Sequence, residues 1–326
     1  MPTCINQFLG FSAAVATIVA AASAAAADFP AKPVRIVTPF PPGGSVDLVA
    51  RLLGNDLGKA WGQQVIVDNR AGASGNIGTE VARNAPPDGY TLLLNTLPFV
   101  TNQFVYSRMP YDPITDFAPV SLVSSVAGLL VVHPSLPVRT VRDLVALAKA
   151  KPGTINYGTA GPATNPHISG ELLNYLGKIN LVAVHYKGGG MATTATISGE
   201  TQVFFSNTIP DVMPHVEAKR LRALGVTSLK RQPTVPQIPT LAESGLPDYE
   251  FTSWHVLAAP AATPRALIAQ IHDKVKSLLG TPEAVQRWRE RGVEVVASTP
   301  DEAAAYLKKE VQKWRVVFKE RGMKAD

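Results

Sequence analysis

Residues 32–61, KPVRIVTPFPPGGSVDLVARLLGNDLGKAW, place a strand, a glycine-rich turn and a helix in immediate succession. Val34, Arg35, Ile36 and Val37 form a short β-rich run, which Pro41-Pro42-Gly43-Gly44 ends. Ser45 is a candidate cap for a helix whose apolar positions, Val46, Val49, Ala50, Leu53, Leu57 and Ala60, recur at helical spacing. Glycines ahead of a helix let backbone N–H groups approach a ligand, and the helix start carries partial positive charge. A chain that opens this way offers an anion site early, and strands alternating with helices make it α/β.

The alternation continues. Gln64–Val67 reads as a second strand before the glycine-rich turn Asn69–Gly78, and Tyr90–Leu94 as a third, ending at Asn95-Thr96. In open parallel sheets such turns lie at the carboxyl ends of the strands, where ligands bind. Phe117–His133 reads as one long apolar crossing strand, and Phe251–Ala259 as a second. Between them lie further strands at Ile155–Tyr157, Leu181–Tyr186, Thr201–Phe205 and Leu221–Val226, separated by helical segments. Thr140 opens one helix, and the pairs Thr263-Pro264, Thr281-Pro282 and Thr299-Pro300 open three more, with Thr299 and Glu302 spaced as a capping box. Ala303, Tyr306, Val311, Trp314 and Phe318 form an apolar stripe that packs the last helix on the core. Two crossings that bracket a middle segment imply two lobes: 28–128 with 253–326, and 129–252. A cleft between them would close by hinge motion.

The first 27 residues carry no charged side chain and end in Ala24–Ala27, which fits a cleaved export signal with Asp28 as the new start. A membrane anchor is the other reading of that segment. Cys4 lies within it and is the chain's single cysteine, so the mature chain would hold no disulfide and no thiolate metal site. The expected location is the periplasm. Charged residues make up 17% of the chain, too few for a nucleic-acid binder, while the net charge of +6 suits acidic small ligands.

Catalytic signatures are missing. There is no Walker loop and no H-E-x-x-H; Gly72-Ala73-Ser74-Gly75 lacks the spacing of a nucleophile elbow, and the six histidines show no ligand spacing. His167 and His255 read as hydrogen-bonding or packing residues near the candidate loops. What recurs is Gly, Ser, Thr and Asn ahead of helices, at 40–47, 70–79, 158–167 and 187–194. Such loops suit a carboxylate or phosphate without cationic side chains. Each alone is also an ordinary turn; together, without catalytic signatures, they favour binding.

Five segments carry a resemblance: KPVRIVTPFPPGGSVDLVARLL, VIVDNRAGASGNIGTEVARNAPPDGYTLLL, INYGTAGPATNPHISGELL, VHYKGGGMATTATISGETQVFFSN and LRALGVTSLKRQPTVPQIPTLAESGLPDYE. They resemble the Bug family, the substrate-binding receptors of tripartite tricarboxylate transporters, over nearly all of the mature chain. The resemblance implies a type II-like periplasmic binding fold and a monomer without cofactor or metal. It implies capture of a small carboxylate and delivery to an integral membrane transporter, with no chemistry on the ligand. By position it assigns ligand contacts to Phe40, Pro42, Gly43, Gly44 and Ser45, with Asp47 following at the helix start. Ala73, Ser74, Asn95 and Thr96 would line the same lobe. Thr159, Ala160, Gly161, Thr164, His167 and Tyr186 would line the other.

Two departures bear on specificity. Asn207 stands where the family often has an acidic residue, which disfavours a zwitterionic amino acid. Pro162–Pro166 and Met191 also depart from the common pattern, so the ligand cannot be carried over. Phe40 and Trp254 are candidate apolar walls, and Trp254 suits the hinge equally. The rival readings are a sensor that presents its closed form to a signalling partner, and an exported α/β hydrolase.

Overall fold

The computed structural model describes residues 29–322. The export signal, Cys4 and the start at Asp28 lie outside the described residues. β1 (Val34–Thr38) turns into α1 (Ser45–Trp61), and β2 (Val65–Asn69) returns parallel to β1. A 3₁₀ turn, Ala73–Gly75, precedes α2 (Asn76–Arg83), and β3 (Thr91–Asn95) runs parallel to β1 on its other side. Every residue of β3 is buried, as expected of a parallel strand covered on both faces.

A short α3 (Pro98–Thr101) leads towards β4 (Phe117–Ala127), which is followed across Gly128 by β5 (Leu129–Val132). The single crossing strand expected over 117–133 is therefore two strands in different sheets. Gly128 marks the switch: a Cβ there would collide with the carbonyl oxygen of Ser206, so the backbones touch where the chain changes sheets. The second sheet follows, with α4 (Val141–Ala150), β6 (Asn156–Thr159), α5 (Asn165–Gly177), β7 (Val182–His185), α6 (Gly189–Ile197), β8 (Val203–Ser206), α7 (Met213–Glu217) and β9 (Arg222–Val226). Its order is β7-β6-β8-β5-β9. β10 (Thr252–Pro260) then crosses back and pairs antiparallel between β3 and β4. α8 (Arg265–Leu279), α9 (Pro282–Arg289), the edge strand β11 (Glu294–Val295) and α10 (Pro300–Arg321) complete the chain, and the first sheet reads β11-β4-β10-β3-β1-β2.

The core follows the helical periodicities. Val46, Val49, Ala50, Leu53 and Leu57 of α1 are buried against the first sheet, together with Ile271 and Val275 of α8. Fully burying one such side chain stabilises by about 1.5–3 kcal/mol. α10 buries Ala303, Leu307, Val311, Trp314 and Phe318, and it lies against β4, α3 and also α5. Glu310, on the same face, accepts the indole N–H groups of both Trp254 and Trp314 at 2.9 Å on one oxygen.

Helix starts fall into two kinds. α4 and α10 carry complete capping boxes, Thr140 with Asp143 and Thr299 with Glu302, and Thr281 caps α9. α1, α2, α5 and α6 have no side-chain cap. Two capping expectations need correction. Ser45 is the first helical residue, with Gly44 at the cap position. At α8 the cap position belongs to Pro264, and the Thr263 hydroxyl is buried without a partner.

Candidate functional site

The first loop, after β1, exposes Pro42, Gly43 and Gly44, with Gly43 at φ 89°. Asp47 is 5% exposed and braces the loop from behind. Its Oδ2 accepts from Gly43 N at 3.0 Å and Arg51 Nε at 2.9 Å, and its Oδ1 from Asn69 Nδ2 at 3.0 Å. Asn69, the last residue of β2, also donates to Phe40 O and Thr38 Oγ1, at 3.1 and 2.7 Å. Burial alone would raise the Asp47 carboxyl, but the hydrogen bonds from Arg51, Gly43 and Asn69 outweigh it and hold it below the usual range. Asp47 thus fixes the loop's shape, and the amide of Gly43 is already bonded. The main-chain donors left uncapped are those at the start of α1.

The second loop is strained. Gly72, Ala73, Ser74 and Gly75 all have positive φ, at 137°, 48°, 51° and 95°. A non-glycine residue held there costs on the order of 1–3 kcal/mol and persists only where its surroundings over-determine it. Here Asn102 Nδ2 donates to Ser74 O at 3.0 Å and Asn76 Oδ1 at 2.7 Å, and Tyr106 OH donates to Ser74 Oγ at 3.0 Å. Thr79 holds Gly75 O at 2.7 Å and in turn accepts from Asn95 Nδ2 at 2.9 Å. Asn95 is buried and serves this brace. A Cβ on Gly75 would stand 3.2 Å from the Phe40 ring, so the first two loops are in contact.

In the second sheet, the loop after β6 is closed by its own hydroxyls. Gly161 N donates to Thr159 Oγ1 at 3.2 Å, and Thr164 Oγ1 turns back to Gly161 O at 2.7 Å instead of capping α5. Ala160 and Gly161 remain partly exposed. Ala163 has φ 55°, and its N–H donates to His167 Nδ1 at 3.0 Å. Burial, then the neighbouring His185, push His167 down to about 4, against the opposing pull of Glu171. Tyr186 gives its hydroxyl to Glu200 at 2.8 Å; desolvation, then that carboxylate, push the phenol up to about 12. Asn207 is half-buried just after β8.

β10 ties the two sets of loops together. Ser253 Oγ accepts from Asn165 Nδ2, at the start of α5, at 2.8 Å and lies 3.4 Å from Thr96 Oγ1, beyond the end of β3. Two residues on, and so on the same face of the strand, His255 is fully buried. Its Nδ1 is 3.2 Å from Ser124 Oγ of β4 and its Nε2 3.4 Å from Ser45 Oγ. Burial pushes His255 down to about 3. The loop ends of both sheets therefore converge on β10. Trp254 faces the other way: it is 1% exposed, bonded to Glu310 and edge-to-face with Tyr306 at 5.8 Å. Of the two expected places, its burial in the crossing strand β10 suits the second, with no face open to a ligand in this conformation.

Sequence reasoning missed the braces Asn69, Asn102, Asn165 and Ser253. Ser253 and His255 do leave a trace, as polar alternation in an otherwise apolar strand. No group of three or more residues able to hold a metal ion occurs among the described residues.

A family model described as tripartite tricarboxylate transporter family receptor matches residues 49–323. BugT of Bordetella pertussis is 33% identical over 312 residues, 95% of each chain. The protein from the tcbD–tcbE intergenic region of Pseudomonas sp. strain P51 is 34% identical over 91% of this chain and 89% of its own length. Among solved structures, an R. palustris protein with adipate has 35% identity and a TM-score of 0.83 over 91% of this chain and 99% of its own. Periplasmic binding protein BugD has 31% identity and a TM-score of 0.79, over 91% and 100%. MatC of Rhodopseudomonas palustris, with malate, has 28% and 0.78, over 89% and 99%. On these matches and the shared two-lobe fold, the chain belongs to the Bug family of tripartite tricarboxylate transporter receptors.

Proposed function

We propose that this chain is a periplasmic solute receptor that captures a small organic carboxylate between its lobes and delivers it to a tripartite membrane transporter. The observation that carries this reading is the pair of uncapped helix starts, α1 and α5, one from each sheet, drawn to β10 through His255–Ser45 and Ser253–Asn165. Unsatisfied N–H groups at a helix start favour an anion. The adipate and malate held by relatives are ligands of this chemistry. The lobes read from the sequence, 28–128 with 253–326 and 129–252, would hinge at Gly128 and Ser253. No step of chemistry on the solute is needed.

The contacts are the loops read from the sequence: Phe40 to Ser45, Ala73 and Ser74, and Thr96 from the first lobe, and Thr159 to Thr164, His167 and Asn207 from the second. Asn207 offers no negative charge to an ammonium group, which favours plain carboxylates over amino acids. The test is thermal unfolding of the 28–326 protein, refolded to strip carried-over solute, against aliphatic, aromatic and amino carboxylates. A ligand at a hundred times its dissociation constant adds about 2.7 kcal/mol. Stabilisation by no carboxylate overturns the reading, and a response to amino acids alone overturns the role given to Asn207.

A further inference from the structure

His185 lies in the strand read over Leu181–Tyr186 and has no ligand contact assigned from the sequence. It ends β7, and the parallel register sets it opposite Thr159, the last residue of β6. Thr159 Oγ1 is 2.6 Å from His185 Nδ1 and already accepts from Gly161 N. Its hydroxyl hydrogen has two directions open: His185 Nδ1, or Gly161 O at 3.4 Å. Gly161 O also accepts from Thr164 Oγ1 at 2.7 Å. We assign the Thr159 hydrogen to the shorter contact, which makes His185 Nδ1 the acceptor and puts the ring's own hydrogen on Nε2.

His167 repeats this arrangement. Its Nδ1 accepts from Ala163 N, which again leaves the ring hydrogen on Nε2. The two rings meet edge to face, with centroids 4.9 Å apart and planes at 89°. Neither Nε2 has a hydrogen-bond partner among the described residues, and neither is among the fully buried polar atoms that lack one. His185 is exposed. The titratable groups around the pair are Glu171 and Tyr157, which bond each other at 2.8 Å. Tyr186 points to the opposite side of the strand and is held by Glu200.

We propose that His185 contacts the solute directly and that, with His167, it forms an uncharged two-donor fork for one carboxylate in the second lobe. This rests on the carboxylate reading above. Desolvation pushes both imidazoles below the usual histidine range, which keeps the fork neutral at neutral pH. A fork of two donors and no acceptor matches a carboxylate, whose two oxygens both accept. It rejects a primary amide, whose NH₂ would face a donor.

The test is calorimetric titration of adipate, malate and their monoamides into wild type, His185→Gln, His185→Asn and His185→Leu, with ligand-free unfolding as a control for folding. Gln can place an N–H near Nε2, whereas Asn reproduces only the Nδ1 side. Wild type is expected to prefer the diacid that it binds over the monoamide by roughly tenfold or more. His185→Leu and His185→Asn are expected to lose that preference, and His185→Gln to keep binding within about threefold. Unchanged binding in His185→Leu, equal binding of acid and amide, or rescue by Asn instead of Gln overturns the fork while leaving the receptor reading intact. Binding of neither adipate nor malate, together with no stabilisation by any carboxylate of the thermal panel, overturns both.

Discussion

Acidification from pH 7.5 to 5 should destabilise this protein well before its carboxylates titrate. His255 is fully buried and His167 is 9% exposed, and both are held neutral, near about 3 and about 4 against a free value of 6.5. Between the free and folded values the unfolded chain binds a proton that the folded chain does not. Stability therefore rises with pH in that window and falls on acidification. Each pH unit is worth about 1.4 kcal/mol per group, so reaching pH 5 costs about 2 kcal/mol for each histidine and about 4 kcal/mol for the two. That is a large share of a typical folding free energy of about 5–15 kcal/mol. The carboxyls held low, Asp47, Asp143, Glu243 and Glu302, act in the same direction but at lower pH. Urea unfolding at pH 7.5, 6.5, 5.5 and 5 measures the slope. His255→Gln should lower the baseline and remove about half of that slope. A wild-type stability flat to within about 1 kcal/mol, or a His255→Gln slope equal to wild type, would refute the assignment of His255 as a buried neutral base.

Three further perturbations test the braces. Glu310→Leu strands two buried indole N–H groups and should cost about 2–6 kcal/mol in urea unfolding, while Glu310→Gln keeps an acceptor and should cost about 1 kcal/mol; equal losses would contradict the shared-acceptor geometry. Asn69→Leu removes the hydrogen bonds to Thr38, Phe40 and Asp47, so the Gly43 amide should exchange with deuterium faster, and unchanged protection would show that Asp47 holds the loop without it. Gly128→Ala drives a Cβ into Ser206 O and should destabilise by about 1–3 kcal/mol or more, whereas Gly177→Ala, with its nearest atom at 3.5 Å on a flexible side chain, should be neutral or mildly stabilising.

Much of the scaffold was legible because β-branched runs, glycine turns and helical stripes are local signals. The stripe of α10, the helix opened by Thr140 and the capping box at Thr299 appear as read, and the structure adds a second box at Thr140 with Asp143. Phe117–His133 was not, because hydrophobicity records burial without recording which sheet does the burying, and one glycine inside an apolar run gives little warning of a switch. At Thr263 the Thr-Pro pair has the same letters as at Thr281 and Thr299, yet the helix begins one residue later. The loops themselves could be read from composition. Their supports could not: Asn102 reaches Ser74 across 28 residues, His185 reaches Thr159 across 26, and Ser253 reaches Thr96 across 157. Asp47 shows the converse, a residue at the expected place whose carboxylate is turned inward to hold Gly43.

The uncapped starts of α1, α2, α5 and α6 have a consequence for how the proposed cleft can be mutated. Donors that belong to the peptide bond survive every side-chain replacement except one, so alanine scanning across 43–47 or 165–167 leaves most of them in place. Proline is the exception, and the first turn of a helix is where it fits without distortion; α5 already carries Pro166 there. In the proposed receptor such a surface would let the surrounding side chains drift and alter which solute fits, while the main-chain donors stay fixed by the fold. Deleting those donors one at a time takes a proline walk along the first turn of α1, with folding measured at each step.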